Sequence, residues 1–352
     1  MVSNKDIVEP GSVVLFFTLG TLWNRRRSSK VELPSSPRRL PTHYGSEQGV
    51  GLLVIPDNTP SRRNLLSRFV TAFPFLVEIW YWLLIYWVYQ LARAYSAYLV
   101  HDSSESLKIA ERHATSILSL ERRLGVDMEK HLQRYILSSS SWIMPLLAKV
   151  YYSHIAIGVA FLGYTYRFVP HGTYTKIRRT IAMNNFIAFV ILTIYRCAPP
   201  RLMPKSYGYI DVLHPHSNAT SLTPSSKAEE FSSTSIWNDN HFQLTIAAMP
   251  SLHFGTSLFL AVCMIRFSPH PFLRIIAPLW PTAMLLTILA TANHWVIDAM
   301  VGSFVPYIGW RLSWLFATKL FLAIDGWCFR ACRIEKPFIE DDTIVAEDEM
   351  TR

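Results

Sequence analysis

Two histidines and an arginine give this chain the means to do phosphorus chemistry. His294, in Thr-Ala-Asn-His-Trp-Val-Ile-Asp (291–298), has Asp298 four residues on, so a helix places both on one face. A carboxylate behind an imidazole fixes which ring nitrogen holds the proton, and it stabilises the imidazolium that forms. The other nitrogen is then free to attack phosphorus, and a covalent phosphohistidine splits one hard displacement into two easier ones. His253, in Ala-Ala-Met-Pro-Ser-Leu-His (247–253), suits the complementary role of general acid toward a leaving alkoxide and later base toward water or an acceptor hydroxyl. Ser251 and the backbone N–H groups of a helix predicted to start there can bind phosphate oxygens, aided by the helix dipole. Arg201, in Ala-Pro-Pro-Arg-Leu (198–202), offers the planar, bidentate donors that suit phosphate. Arg196 and Lys205 are competing cations, and Asn293 completes the candidate phosphate-binding set. Taken singly, these are an i,i+4 pair, a helix cap and a snorkelling arginine. Their gathering on one membrane face is what points to chemistry.

The elements that must position them are membrane helices. Of the 352 residues 50% are hydrophobic and 17% charged, against about 25% charged in ordinary soluble domains. The apolar residues fall into runs at 68–92, 141–166, 180–197, 247–266, 272–291 and 295–322, each near the ~20 residues a bilayer core requires. Arg311 interrupts the last. The expected fold is therefore all-α, a polytopic bundle of about six transmembrane helices. Residues 104–137 carry apolar side chains at helical spacing between charges and read as an amphipathic helix at the interface, or one packed on the enzyme body.

The net charge of +9 does not point to nucleic acid, because the basic residues cluster beside the spans. Arg25–Arg27, Arg62–Arg63, Lys176 with Arg178 and Arg179, and Arg330 with Arg333 fit cytoplasmic loops under the positive-inside rule. Alternation then places Arg201, His253 and His294 at the lumenal or extracellular ends of their spans, with a loop at 198–246 and the sequon Asn218-Ala-Thr on the same side. No cleavable signal is expected: the 11–23 run follows Asp6 and Glu9, and it reads as an interfacial segment or an extra span.

The chain thus divides into a basic, mostly disordered segment at 1–67, a membrane catalytic domain at 68–323 and a cytoplasmic tail at 324–352. The four cysteines show neither metal-ligand spacing nor a disulfide framework. Cys328 and Cys332 are candidates for palmitoylation. No cofactor and no metal is called for. The expected partners are phosphorylated glycerolipids or sphingolipids of the Golgi, the endoplasmic reticulum or the plasma membrane.

The motifs resemble those of the type 2 phosphatidic acid phosphatase superfamily, whose second motif is Pro-Ser-x-His and whose third ends in His-x-x-x-Asp. Ala-Ala-Met-Pro-Ser-Leu-His-Phe-Gly (247–255), Thr-Ala-Asn-His (291–294), Ala-Pro-Pro-Arg-Leu, Tyr-Gly-Tyr-Ile-Asp (207–211) and the segment from Glu121 through Leu124-Gly125 and Glu129 to Gln133 are closer to one branch. That branch contains inositol phosphorylceramide synthases and related inositolphosphotransferases. The resemblance implies a six-helix bundle and metal-independent transfer through a phosphohistidine, with His294 as nucleophile, Asp298 as its orienter and His253 as acid/base. The chain departs from the superfamily pattern at Ile194, where the first motif has lysine, and at Thr287 and Ile288, where the third often has Ser-Arg. The synthases usually carry an aromatic residue where this chain has Arg201. The function expected is lipid phosphotransfer, with phosphoinositol transfer to a sphingolipid as its specific form. Simple lipid phosphate hydrolysis and non-catalytic lipid binding are the alternatives.

Overall fold

The computed structural model describes residues 4–26, 56–100, 104–213 and 247–337. They are helices joined by short connections, and the one β-type contact among them is an isolated bridge between Cys197 and Ala247. Asn218-Ala-Thr, most of the 24–67 segment and most of the 198–246 loop lie outside the described residues.

By length and composition, four segments can cross a membrane. They are α3 (Phe75–Val100) over Phe75–Tyr98, α6 (Ile143–Phe168), α7 (His171–Ile194), and the pair α9 (Pro271–Ile276) and α10 (Leu279–Ala290) taken as one stretch. α11 (Val296–Leu312), continued by a 3₁₀ turn to Ala317, makes a fifth together with α12 (Lys319–Ala331), bent by 63°. The expected span at 295–322 therefore breaks at Thr318. Of the six spans expected from the sequence, the remaining one is α8 (Leu252–Phe267). Its 16 residues extend about 24 Å, short of the hydrocarbon thickness. It sits instead among α6, α7, α10 and α11, so its N-terminus ends inside protein rather than in lipid. Around this core, α3 turns Trp80, Leu83, Leu84, Trp87, Val88 and Leu91 outward, as a helix facing hydrocarbon does.

The 11–23 run belongs to α1 (Asn4–Trp23), which packs along α6. A Cβ on Gly20 would run into the Phe75 ring, so glycine permits that approach. Residues 56–67, assigned to the N-terminal segment by composition, dock on the C-terminal end of the chain. Asn58 Nδ2 donates to the Gly326 carbonyl at 3.0 Å, Asn64 Nδ2 to that of Arg333 at 2.9 Å, and Glu335 N–H to Ser67 Oγ at 3.0 Å. α2 (Leu65–Ala72) follows directly.

The amphipathic stretch 104–137 is two helices rather than one, α4 (Ser104–Leu124) and α5 (Glu129–Ser139). Gly125 adopts a left-handed φ of 70° and Val126 N–H closes on the Glu121 carbonyl at 3.0 Å, the hydrogen bond that ends a helix in a Schellman turn. α4 buries Ala110, Ala114, Ile117 and Leu118 against Cys197, Ala198 and Trp295, while Leu107, Leu120 and Leu124 stay exposed. One apolar face thus packs on the body and a second remains outside.

Candidate active site

The site forms where α8 and α11 cross. A Cβ on Gly255 would collide with the Gly302 carbonyl, and one on Gly302 with the Ser251 carbonyl. Two glycines therefore set the crossing distance, and at that distance Ser251 N–H reaches the Asp298 carbonyl at 3.0 Å. His253 in the first turn of α8 is thereby brought to His294, just before α11, with ring centroids 5.8 Å apart.

His294 is 6% exposed. Its Nδ1 lies 2.7 Å from the Ala248 carbonyl oxygen and 3.7 Å from Asp298 Oδ2. A carbonyl can only accept, so Nδ1 carries the proton and Nε2 is left with its lone pair. The backbone at Ala248, rather than the carboxylate alone, fixes the tautomer. Asp298 is fully buried, and its Oδ2 accepts the Trp295 N–H at 2.9 Å, capping α11. It stands where it can compensate positive charge on the imidazole.

Arg201 sits in a 3₁₀ turn after Pro199 and Pro200, and its N–H donates to the Ala292 carbonyl at 2.9 Å. Its Nε donates to Asn293 Oδ1 at 2.9 Å and its Nη1 to Asp211 Oδ2 at 2.8 Å. Asn293 is anchored in turn, its Nδ2 donating to Thr291 Oγ1 at 2.8 Å. Asn293, expected beside a phosphate, is thus placed as a brace for the guanidinium, and Asp211 is a second brace. Trp295 ties this segment to α11 through an indole N–H donated to the Ala198 carbonyl at 2.9 Å. Ala292 holds φ at 52°, a conformation uncommon outside glycine, and its carbonyl is the one that receives Arg201. Ser251 is fully buried and caps α8, with Phe254 N–H donating to its Oγ at 3.4 Å. The competing cation Arg196 turns to α4, donating to Ser106 Oγ at 3.2 Å, and Lys205 is exposed.

Three side chains at the site, Tyr151, His154 and Arg93, escaped the sequence reading. Tyr151 stacks on His253 at 4.4 Å between centroids, and His154 meets the same ring edge-on at 4.6 Å. His154 donates from Nδ1 to the Tyr151 carbonyl at 2.6 Å. The signal was present: an intramembrane histidine at i+3 from a tyrosine in an otherwise apolar helix is costly without a use. From α3, Arg93 lies close enough for its charge to act on both His253 and Tyr151. Its Nε is buried with no hydrogen-bond partner among the described residues. A cavity of about 190 Å³, lined by Arg122, Asp127, Lys130, His131, Arg134, Tyr207 and Tyr209 among others, lies to one side. It shares Tyr209 with the packing around Trp295, and neither His253 nor His294 lines it.

A family model described as the PAP2 superfamily matches residues 115–312, a stretch that contains Arg201, His253, His294 and Asp298. The chain belongs to the PAP2 superfamily. Its members are lipid phosphatases and phosphotransferases, and the apolar helices make this one an integral membrane protein. No curated protein and no solved structure matches the chain. The PAP2 match covers α5 to α11 in full and enters α4 at Thr115. Apart from α3, which carries Arg93, the elements that build the site thus lie within the matched stretch.

Proposed function

We propose that this PAP2 protein transfers a phosphoryl or substituted phosphoryl group of a membrane lipid by way of a phosphohistidine at His294. The observation that carries this reading is the Ala248 carbonyl on His294 Nδ1, which leaves Nε2 as a lone-pair nucleophile on a ring whose centroid is 5.8 Å from that of His253. Nε2 forms the N–P bond as the bond from phosphorus to the lipid alkoxide breaks, and protonated His253 gives its proton to that oxygen. The imidazole then carries positive charge, which Asp298 offsets across 3.7 Å. In the second half His253 takes the proton of the acceptor hydroxyl, whose oxygen displaces His294 and restores it. No metal or cofactor enters these steps.

Arg201 binds the non-bridging oxygens with the guanidinium edge that Asn293 and Asp211 leave open. Because Asp211 already compensates its charge, a second cation is needed. Arg93, whose Nε is buried without a hydrogen-bond partner among the described residues, supplies it. The site faces the lumen or the exterior, as the basic flanks require.

The acceptor is a lipid hydroxyl, with phosphoinositol passed to a sphingolipid; the likeness of residues 247–255 and 291–294 to the inositolphosphotransferase branch supports this. The test incubates purified wild-type and His294→Ala protein in detergent–lipid micelles with labelled phosphatidate, sphingoid phosphates, or phosphatidylinositol plus ceramide, without added metal. Phosphoceramide and diacylglycerol from wild type alone are expected. Free phosphate instead makes the chain a lipid phosphatase. Equal silence from two well-folded proteins overturns the catalytic reading.

A further inference from the structure

His294 immediately precedes α11 and Asp298 lies in its first turn, so their placement depends on what holds that end of the helix. Three successive N–H groups there, of Trp295, Val296 and Ile297, have no intrahelical acceptor. Each is taken by a buried carboxylate: Asp298 Oδ2 at 2.9 Å, Glu129 Oε1 at 2.8 Å and Glu121 Oε1 at 2.9 Å. The first is an ordinary cap from within the helix. The other two reach in from α5 and α4, and both glutamates are fully buried.

A hydroxyl or amide side chain would satisfy these donors at lower desolvation cost. Two acids in contact are the more demanding solution, and each leaves its Oε2 without a hydrogen-bond partner among the described residues. The two carboxyls accept from the adjacent N–H groups of Val296 and Ile297, so they stand side by side at the start of the helix. One proton held between them removes the repulsion, satisfies an orphaned oxygen and leaves a single negative charge on the positive end of α11.

We infer that Glu121 and Glu129, sharing one proton, form a clamp that fixes the first turn of α11 and so sets the position of His294 relative to the Ala248 carbonyl and the bound phosphate. They are positioning residues; the inference rests on His294 being the nucleophile. Burial first, and then the Glu129 charge, push the Glu121 carboxyl up to about 8. Burial also raises Glu129. The proton is therefore retained at neutral pH. The groups facing the pair from other elements are Asp298 of α11 and, from the segment after α7, Tyr209 and Cys197, with Arg122 and Asp127 beyond Tyr209. Loss of the shared proton above pH 8 sets two charges against each other beside Asp298 and loosens the turn.

The test compares full-length wild type with Glu121→Gln, Glu121→Ala and Glu129→Ala in lipid micelles, with folding checked by size exclusion and thermal melting. Glutamine accepts from Ile297 N–H and donates to Glu129, reproducing the protonated partner. Glu121→Gln should hold kcat within about threefold at pH 7, and it should lose the alkaline fall near pH 8. The alanine variants should lower kcat by about 10²-fold with little change in KM, as expected of a misplaced catalytic group. Hydrogen exchange at the Val296 and Ile297 amides supplies a readout independent of turnover, and both alanine variants should speed it. Folded alanine variants with wild-type kcat overturn the inference, as does an alkaline limb unmoved in Glu121→Gln. If wild type and His294→Ala are equally inactive, the catalytic reading fails instead. Unchanged exchange at 296 and 297 then overturns the clamp on its own.

Discussion

Buried charge is handled differently at the two ends of this bundle. Away from the site, the buried Glu78 and its neighbours form a set in which each charge meets its complement. Glu78 of α3 receives the Arg178 guanidinium at 2.6 Å and the Tyr174 hydroxyl at 3.0 Å. Arg178 also lies over the Tyr81 ring at 4.1 Å, the Tyr81 hydroxyl donates to Asp325 at 2.7 Å, and Lys336 closes on the same carboxylate at 3.1 Å. This chain of contacts joins α3, α7 and α12. At the site end, Arg93 Nε, Glu121 Oε2, Glu129 Oε2 and Asp298 Oδ1 are all buried without hydrogen-bond partners among the described residues. A closed set stabilises a fold. Neutral groups such as Asn184 and Thr175 are left unsatisfied elsewhere too, but the unsatisfied charged groups gather at the site end, where a proton or a ligand can be received. The contrast separates the part of the molecule that holds the helices together from the part proposed to do chemistry.

The largest effect should come from the open end. His294→Ala should lower turnover by at least about 10⁴-fold, with no phosphoenzyme on alkaline-gel trapping and a melting temperature near that of wild type. At the closed end the reverse should hold. Arg178→Met leaves the Glu78 charge buried and unpaired, and it should destabilise by about 3 kcal/mol while the folded fraction keeps its kcat. Adding Glu78→Gln should recover most of the loss in a denaturation series. A kcat that falls with Arg178 would break the comparison.

Arg201→Lys keeps the charge but loses the fork that Asn293 and Asp211 hold, so kcat/KM should drop by about 10²-fold in steady-state assays. The pH dependence of stability sharpens the contrast further. Glu121 has its folded pKa near 8, above its unfolded value, so the folded state binds the proton more tightly. Its contribution is full below pH ~4.5 and is lost as pH rises through 8. The melting temperature should fall across that window in wild type and flatten in Glu121→Gln. Smallest of all, Ala292→Gly relieves a left-handed φ and should raise stability by up to about 1 kcal/mol, read as a small upward shift in melting temperature without loss of activity.

Much of the site could be read before the fold. His253, His294, Asp298 and Arg201 are marked by residue type, spacing and a place at span ends. The apolar runs located α6 and the stretch from α9 to α10 to within about two residues, whereas α3 starts seven residues after the run at 68–92 and α7 starts nine residues before the run at 180–197. Other elements were not legible for specific reasons. The break at Gly125 hides inside one continuous amphipathic pattern, because glycine is also tolerated within helices. The docking of residues 56–67 on the C-terminal end rests on asparagine and serine side chains meeting distant backbone, and no periodicity records that. α8 reads as a span by hydropathy, but its length is met by burial among four neighbours.

The amino-acid sequence by itself determined which segments are apolar helices and which side chains have the chemistry proposed for attack, protonation and phosphate binding. Those properties are local, set by residue type and by spacing along a helix. Only the tertiary structure decided which nitrogen of His294 is free, since its partner is the carbonyl of Ala248, a group every residue has. It alone decided that Asn293 and Asp211 brace Arg201, that Tyr151 and His154 enclose His253, and that Glu121 and Glu129 hold the start of α11. These depend on the close crossing at Gly255 and Gly302 and on contacts between residues far apart in the chain. Backbone acceptors and long-range approach distances leave no mark in residue order.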